Sequence, residues 1–226
     1  MKKTIAILGS TGSIGRSLLK IIDKDKKNLK ILLLTANKDY KTLINQARKF
    51  NVKKIIITNK DSYEIAKKKY LKSSIKIFNS FNNLKKIIGK KIDYTMSSII
   101  GIEGLDPTLK IIKFTKIIAI ANKESIVCGW NLINKELLKS NTKFIPVDSE
   151  HFSIWFALQN KYKSKEIKNI YITASGGPFK NKPLNKFKNI SIQDALKHPN
   201  WKMGKKITID SATMVNKVFE LIEAKN

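Results

Sequence analysis

Residues 4–15 read TIAILGSTGSIG, and they decide how the rest of the chain is interpreted. An apolar run at 4–8 leads into a glycine loop, residues 9–15, in which glycine recurs at every third position. A helical apolar pattern follows. Strand, glycine loop and helix in this order bind the pyrophosphate of a dinucleotide, because glycine admits the phosphates and the helix N-terminus offers unpaired N–H groups. The alternative is a tight turn with no ligand.

Downstream of the glycine loop, short β-branched runs alternate with amphipathic stretches. We expect strands at 4–8, 30–35, 54–58, 75–78, 92–96, 116–121 and 143–147, and helices at 14–23, 40–50, 62–70 and 130–138. The runs are apolar on both sides and helices separate them, so the sequence predicts a parallel sheet covered on both faces. The fold class is α/β, with a Rossmann-like doubly wound sheet over residues 1–147.

The pattern changes after residue 147, and residues 148–226 are expected to begin a second, α+β domain. We expect a helix at 149–158, a strand at 167–173 and a polar stretch containing proline up to about residue 198. A final helix is predicted at 211–225, with Asp210 or Ser211 as its N-terminal cap.

The chain carries a formal charge of +28, yet the charge alone does not indicate a nucleic-acid partner. Only Arg16 and Arg48 among its 45 basic residues are arginine, the side chain that reads phosphates and bases with two parallel hydrogen bonds. The lysines are spread along the whole chain. We interpret the excess as a compositional bias toward Lys, Ile and Asn, with a charge that serves a partner as the alternative.

Three further features bear on where the protein works. Cys128 is the only cysteine, so an intrachain disulfide is excluded. No apolar run reaches the ~18–20 residues that a membrane helix needs. Met1 and two lysines lead directly into the first predicted strand, without the pattern of a signal peptide. The expectation is a cytoplasmic protein that does not use a membrane.

The end of the second predicted strand bears on the choice of dinucleotide. NAD sites usually place an acidic residue there, on the ribose 2′-hydroxyl. Here residues 35–39 read TANKD, so the first residues past the strand are neutral or basic, and Lys38 could pair with a 2′-phosphate. Asp39 could instead be the ribose acid, one position late. The residues favour NADP over NAD and leave both open.

Two carboxylates, Asp148 and Glu150, follow the last predicted strand. Side chains two residues apart project to the same side of an extended backbone, and such carboxylates repel unless a cation lies between them. A divalent metal with oxygen ligands would resolve the repulsion. The alternative is a helix N-terminus, with Asp148 or Ser149 as cap and Glu150 in the first turn.

Two other polar groups are candidates for a site. Asn216, Lys217 and Glu220 would share one face of the last helix, where the alternative is a solvated face with a Lys–Glu pair. Residues 122–124, which read NKE, come directly after a predicted strand. Ligands of open α/β sheets bind at the carboxyl ends of strands, although a surface turn would read the same way.

Six segments, taken in order, resemble the 1-deoxy-D-xylulose 5-phosphate reductoisomerase family. They are LGSTGSIG at 8–15, ANKES at 121–125, PVDSEH at 146–151, SGGPF at 175–179, HPNWKMGKKI at 198–207, and DSATM at 210–214 with Asn216, Lys217 and Glu220. Each segment alone is modestly specific. The resemblance extends through the whole chain.

The resemblance implies NADPH, a divalent metal and a phosphorylated ketose as ligands. NADPH would contact Thr11, Gly12, Ser13, Ile14, Asn37, Lys38, Asp39, Asn122, Glu124 and Gly204. Mg²⁺ or Mn²⁺, with Co²⁺ as a further candidate, would be bound by Asp148, Glu150 and Glu220. The substrate would contact Lys123, Ser149, Glu150, Ser175, His198, Trp201, Ser211, Asn216, Lys217 and Glu220. The catalytic residues would be Lys123, Asp148, Glu150 and Glu220.

The implied activity is a metal-dependent rearrangement and an NADPH-dependent reduction. The substrate would be 1-deoxy-D-xylulose 5-phosphate and the product 2-C-methyl-D-erythritol 4-phosphate, in the methylerythritol phosphate route to isoprenoids. Residues 176–203 would form a flap, with Trp201 closing over the substrate. Members of the family are longer homodimers, so we expect the chain to end before the catalytic domain is complete.

The chain departs from the family at three positions. Asn37 and Val218 stand where the family usually has glycine, and Asp39 stands where it commonly has Asn. Three other functions remain open: an inactive fragment, another NADP-dependent Rossmann reductase of a phosphorylated substrate, and a basic protein that binds nucleic acid, which only the charge supports.

Overall fold

The structure is a computed structural model that describes residues 2–158, 166–200 and 204–225. It divides into two units, Met1–Asp148 and Ser149–Asn226. The strands of the first unit are β1 (Lys3–Leu8), β2 (Leu29–Ala36), β3 (Lys54–Ile57), β4 (Lys76–Phe78), β5 (Ile92–Ser97), β6 (Thr115–Ile120) and β7 (Lys143–Pro146). Its helices are α1 (Ser13–Lys24), α2 (Tyr40–Lys49), α3 (Lys60–Lys69), α4 (Leu84–Ile88), α5 (Leu105–Ile112) and α6 (Lys123–Ser140), with a 3₁₀ turn at Ile102–Gly104.

The seven strands form one parallel sheet in the order β4-β3-β2-β1-β5-β6-β7. All seven predicted strands are present, and their ends agree with the prediction to within one residue. The chain winds outward in one direction from β1 to β4 and then in the other from β5 to β7. The order therefore reverses between β1 and β5, and the carboxyl ends of these strands flank the crevice in which such sheets bind ligands. The doubly wound α/β prediction is confirmed.

The sheet is covered on both faces because successive side chains of a strand point to opposite sides. In β1, Ile5 and Ile7 belong to one apolar cluster, and Ala6 and Leu8 belong to the other. The first cluster lies between the sheet and helices α1, α2 and α3. These helices contribute Leu19, Ile22, Leu43, Ile44, Ala47 and Ala66 to it. The second packs against α4, α5 and α6, through Leu84, Ile87, Ile111, Ile112, Ile126, Ile133 and Leu137. Two apolar layers of this kind hold β1, and with it the start of the glycine loop, rigidly.

In its described residues the second unit is built from helices and irregular backbone. It contains α7 (Ser149–Leu158), a 3₁₀ turn at Leu184–Asn189, α8 (Ile192–Ala195), α9 (Lys205–Ala212) and α10 (Val215–Lys225). The strand predicted at 167–173 is wrong, since these residues have no regular structure. A strand needs a hydrogen-bonded neighbour, and the described part of this unit contains no strand that could pair with it.

The final helix is interrupted, and its predicted cap is also wrong. Met214 adopts a left-handed φ of 61°, which ends α9 and lets the chain start again as α10 at Val215. Asp210 lies in α9, where its carboxylate accepts a hydrogen bond from Lys206 at 2.6 Å, and Ser211 is in the same helix. Residues near this break include no glycine or proline, the usual signals of a helix end, so the break could not be predicted from the sequence.

None of the described helices is both long enough and apolar enough to cross a lipid bilayer.

Candidate functional site

The glycine loop joins β1 to α1 at the carboxyl end of the central strand. Gly9 has a φ of 79°, and a Cβ there would lie 2.8 Å from the carbonyl oxygen of Ser98. At Gly15 a Cβ would lie 2.5 Å from the Cα of Ser10. Backbone atoms cannot move aside, so these two positions require glycine. Gly12 precedes α1 without a side-chain cap, and the first helical turn contains no acidic residue, which leaves the N-terminus of α1 suited to an anion.

Two neighbouring elements fix the shape of this loop. Thr35, at the end of β2, accepts a hydrogen bond from the backbone N–H of Gly9 at 3.0 Å, and its carbonyl oxygen accepts one from Ser10 at 2.9 Å. Gln46 of α2 bonds both the hydroxyl and the carbonyl of Ser10. Sequence reasoning missed Gln46. The available signal was its place beside Leu43 and Ala47 on the buried face of α2, where a polar side chain needs a partner.

The residues after β2 are exposed, but Asp39 has two partners. One carboxylate oxygen of Asp39 accepts a hydrogen bond from the backbone N–H of Thr42 at 3.1 Å, which makes Asp39 the N-cap of α2. The other lies 3.8 Å from the guanidinium of Arg16. Arg16 also donates through Nε to the carbonyl oxygen of Thr11 at 2.7 Å. The glycine loop and the end of β2 are therefore connected through Arg16, which sequence reasoning did not place in the site. Asn37 and Lys38 are exposed beside this connection.

Asn122 holds the carboxyl ends of two strands in position. It is 3% exposed, and its side-chain oxygen accepts a hydrogen bond from the N–H of Ser125 at 2.6 Å, so it caps α6. Its amide group donates to the carbonyl oxygens of Ile99 and Gly101, in the loop that follows β5. The amide of Asn122 is thus engaged with backbone groups, while Glu124, in the first turn of α6, is half-buried.

Lys123 and Asp148 meet at the same edge of the sheet. Lys123 is the first residue of α6, which follows β6, and Asp148 comes two residues after β7. Their side chains form an ion pair of 2.8 Å and are only 14% and 19% exposed. Because β6 and β7 are parallel neighbours, their carboxyl ends bring these two predicted catalytic residues together.

In the second unit, two carboxylates converge on one ammonium group. Lys217 of α10 lies 3.1 Å from the carboxylate of Glu150 in α7 and also contacts the carboxylate of Glu220. Glu220 is 2% exposed and accepts a further hydrogen bond from the Asn216 amide. Asn216, Lys217 and Glu220 share one face of α10, as their spacing predicts.

The charges of this cluster stabilise one another. Burial on its own would raise the pKa of Glu150, but hydrogen bonds from the Ser149 hydroxyl at 2.6 Å and from Lys217 outweigh burial, and the net pKa is below its usual value. Burial would lower the pKa of Lys217, but the bonds to Glu220 and Glu150 raise it above its usual value. At neutral pH, Glu150 is therefore ionised and Lys217 is protonated. Paired carboxylates of this kind are oxygen donors of the type that Mg²⁺ and Mn²⁺ prefer.

His151 joins α7 to α10 behind these carboxylates. It is 6% exposed, and its Nε2–H donates to the backbone carbonyl of Glu220 at 2.8 Å. Its Nδ1 lies 3.6 Å from the carboxylate of Glu223, a buried residue that sequence reasoning missed. The spacing of three from Glu220 to Glu223 on one helix face was the available signal.

A third group in the second unit contains Ser175 and His198. The Nδ1 of His198 accepts a hydrogen bond from the N–H of Asn200 at 3.2 Å, so its Nε2 carries a proton and donates to the Ser175 hydroxyl at 3.1 Å. Gly177, with a φ of 66°, lies so close to Ser211 that a Cβ would be 2.6 Å from the Ser211 carbonyl oxygen. The fold thus brings the segment containing Ser175 next to Ser211.

Two predicted site residues remain. Gly204 is exposed and precedes the first residue of α9. Trp201 lies outside the described residues.

Two family profiles match the sequence and between them cover most of it. The profile of 1-deoxy-D-xylulose 5-phosphate reductoisomerase matches residues 5–129, and that of the C-terminal domain of this reductoisomerase matches residues 144–226. The reductoisomerase of Pelagibacter ubique (strain HTCC1062) is 64% identical over 99% of this chain and 58% of its own length. That of Wolbachia pipientis subsp. Culex pipiens (strain wPip) is 43% identical over 98% of this chain and 56% of its own length.

Solved structures of the same family match the fold. The Zymomonas mobilis reductoisomerase in complex with NADPH is 36% identical, with a TM-score of 0.85 over 99% of this chain and 57% of that protein. A DOX-P reductoisomerase in complex with NADPH, fosmidomycin and magnesium is 37% identical, with a TM-score of 0.87 over 98% of this chain and 57% of that protein. The chain spans less than three fifths of the length of these relatives. On the evidence of both its sequence and its fold, the chain belongs to the 1-deoxy-D-xylulose 5-phosphate reductoisomerase family.

Proposed function

We propose that the protein converts 1-deoxy-D-xylulose 5-phosphate to 2-C-methyl-D-erythritol 4-phosphate, as an NADPH-dependent and metal-dependent oxidoreductase of isoprenoid precursor synthesis. The observation that carries the proposal is the convergence of Glu150 and Glu220 on Lys217, in a chain that begins with a dinucleotide-binding loop. Carboxylate oxygens brought together in this way are donors that a divalent metal can use. The relatives solved with NADPH and with magnesium support the same reading.

The glycine loop and the N-terminus of α1 support the proposal that the protein binds NADPH. A Cβ at Gly9 would clash with the backbone of Ser98, and one at Gly15 would clash with the backbone of Ser10. The uncapped helix start is open to a pyrophosphate. We assign NADPH contacts to Thr11, Gly12, Ser13, Ile14, Asn37, Lys38, Asp39, Asn122, Glu124 and Gly204. We accordingly assign residues 1–147 to an NADPH-binding domain and residues 148–226 to the catalytic domain.

The proposal of a divalent metal is supported by the carboxylate side chains that could bind it. Asp148, Glu150 and Glu220 would supply carboxylate oxygens to Mg²⁺, Mn²⁺ or Co²⁺. When bound, the metal supplies Lewis-acid stabilisation of substrate oxygens and NADPH supplies the hydride. The Lys123 ammonium lies 2.8 Å from the Asp148 carboxylate, and the Lys217 ammonium lies 3.1 Å from that of Glu150.

The phosphate of the substrate requires hydrogen-bond donors away from the reacting carbons. Ser175, His198, Ser211, Asn216 and Lys217 offer hydroxyl, imidazole, amide and ammonium donors for it, and Ser149 would contact the polar carbons. Binding the phosphate orients the reacting end of the ketose. Closure of residues 176–203 over the substrate, with Trp201 as its lid, would exclude water. We further propose a cytoplasmic homodimer with no nucleic-acid or membrane partner.

The test is an assay of NADPH oxidation by purified protein given 1-deoxy-D-xylulose 5-phosphate. Turnover should require Mg²⁺ or Mn²⁺ and stop when a chelator is added. Glu150→Gln and Asp148→Asn should abolish turnover and leave NADPH binding nearly intact. NADPH binding without any metal-dependent turnover would instead favour an inactive fragment or another NADP-dependent reductase.

A further inference from the structure

Arg16 lies in the first turn of α1, where its side chain is anchored at one end and open at the other. Its Nε donates to the carbonyl oxygen of Thr11 at 2.7 Å, which holds the guanidinium beside the glycine loop. The terminal nitrogen Nη2 lies 3.8 Å from Asp39. The Arg16 side chain is nevertheless 57% exposed, so its remaining N–H groups are accessible from solvent.

Asp39 is already engaged as a helix cap. Its Oδ1 accepts the N–H of Thr42, and its Oδ2 faces Arg16. Left to itself, a carboxylate just past β2 would bind a ribose 2′-hydroxyl and repel a 2′-phosphate. Arg16 changes that balance, because its positive charge lies beside this carboxylate and its free N–H groups can bind a phosphate.

We propose that Arg16 determines the selectivity for NADPH over NADH, by binding the 2′-phosphate and by neutralising Asp39. The proposal deepens the proposed function and rests on it. Arginine suits this role because its planar guanidinium binds phosphate through two parallel hydrogen bonds. Anchoring by Thr11 also reduces the side-chain entropy that is lost when the phosphate binds. Lys38 is another cation near this end of β2, and as an exposed point charge on a flexible stem it contributes less.

The experiment measures dissociation constants of NADPH and NADH by isothermal titration calorimetry on the 226-residue chain. Arg16→Ala should weaken NADPH binding by about tenfold or more, because the 2′-phosphate would lose charge-assisted hydrogen bonds. NADH binding should change by less than about twofold. Arg16→Lys, which keeps the charge and loses the forked donors, should bind NADPH more weakly than the unmodified chain and more tightly than Arg16→Ala.

Arg48→Ala is the matched control, because it removes the only other arginine. Arg48 lies near the end of α2, over the ring of Tyr70 at 5.2 Å, and is not part of the nucleotide site. This variant should bind both nucleotides as the unmodified chain does. Arg16→Ala combined with Asp39→Asn should recover part of the NADPH affinity, because Asn keeps the helix cap and removes the repelling charge.

Circular dichroism of each variant shows whether the fold is kept, which the exposure of Arg16 leads us to expect. Equal weakening of NADPH and NADH in Arg16→Ala would mean that Arg16 only shapes the loop through Thr11, and would overturn the proposal. Unchanged NADPH affinity would overturn it as well, while leaving the proposed function intact. Failure of the unmodified chain to bind NADPH would overturn both.

Discussion

Ser10 and Gln46 exchange two hydrogen bonds between the glycine loop and α2. The hydroxyl of Ser10 donates to the side-chain oxygen of Gln46 at 2.8 Å, and the Gln46 amide donates back to the Ser10 carbonyl at 3.0 Å. Ser10 is fully buried. A segment that must present backbone N–H groups to a pyrophosphate is therefore fixed by a side chain from the next helix along the chain, which limits the conformations that the loop can adopt.

Replacement of Gln46 by Leu should weaken NADPH binding by several-fold and lower the free energy of unfolding by about 1–2 kcal/mol, because the Ser10 carbonyl loses its donor. Calorimetric titration with NADPH and urea unfolding measure the two effects. Asn45→Ala, at the exposed neighbouring position of α2, is the control. It should leave NADPH affinity unchanged and should not lower the free energy of unfolding, because alanine favours a helix. Unaltered NADPH affinity in Gln46→Leu would show that the loop keeps its shape without this contact.

Gly15→Ala should destabilise the first unit far more than an ordinary helix substitution. Alanine normally favours a helix over glycine, yet here its Cβ would meet the Cα of Ser10 at 2.5 Å and the carbonyl oxygen of Gly9 at 2.6 Å. Overpacking against backbone costs about 1–3 kcal/mol, and movement of the loop should also abolish NADPH binding. Ser17→Ala, on the exposed side of α1, serves as the comparison in thermal unfolding. A melting temperature for Gly15→Ala equal to that of the control would contradict the close packing.

The sheet was predictable from sequence because its signals are local. An apolar run such as residues 54–58 predicts a strand without information from the rest of the chain. The glycine loop is identified by the strand pattern before it and the helix pattern after it. The contacts of Gln46 and Arg16 were not predictable, because each depends on how α1, α2 and the end of β2 are arranged in three dimensions. The break at Met214 was missed for a different reason. Its left-handed backbone is adopted by a residue type that rarely takes it, so no local pattern signals it.

Asp93 should stabilise the sheet in a pH-dependent way. The Lys116 ammonium at 2.7 Å, followed by the N–H and hydroxyl of Thr4 at 2.8 Å, holds its pKa well below the usual value. Because the pKa of Asp93 is lower in the folded state, its carboxylate stabilises the fold at pH values above the unfolded-state pKa of about 4. This stabilisation is lost progressively as the pH falls below that value. Asp93→Asn should therefore cost about 1 kcal/mol at pH 7, since the carboxylate is partly exposed, and progressively less below about pH 4.

Urea unfolding of the unmodified chain and of Asp93→Asn, at several pH values between 7 and 3, measures this difference. Asp61→Asn is a suitable control, because Asp61 is an exposed acid in the first turn of α3. At pH 7 the control should lower the free energy of unfolding by less than Asp93→Asn does. A constant difference for Asp93→Asn over the whole range would mean that the carboxylate is held by packing and not by its charge.

Lys217 provides the most direct test of the proposed metal site. Its ammonium contacts both Glu150 and Glu220, and the side chain of Glu220 is only 2% exposed. Lys217→Met would keep the length and apolar stem of the side chain and leave two carboxylates close together without this cation. In the presence of a chelator, the variant should therefore unfold at a lower temperature than the unmodified chain, because removing one partner of a buried ion pair is costly.

Added Mn²⁺ should then raise the melting temperature of Lys217→Met more than that of the unmodified chain, because the metal replaces the lost positive charge, and a ligand that binds only the folded state stabilises it. Lys206→Met is the matched control, since Lys206 pairs with Asp210 at 2.6 Å on α9 and its side chain is 44% exposed. Its response to Mn²⁺ should equal that of the unmodified chain. Glu150→Gln should reduce the response of Lys217→Met, because it removes one of the oxygen donors. A response to Mn²⁺ that is the same in every variant would mean that the ion binds elsewhere, and that the two carboxylates serve only as partners of Lys217.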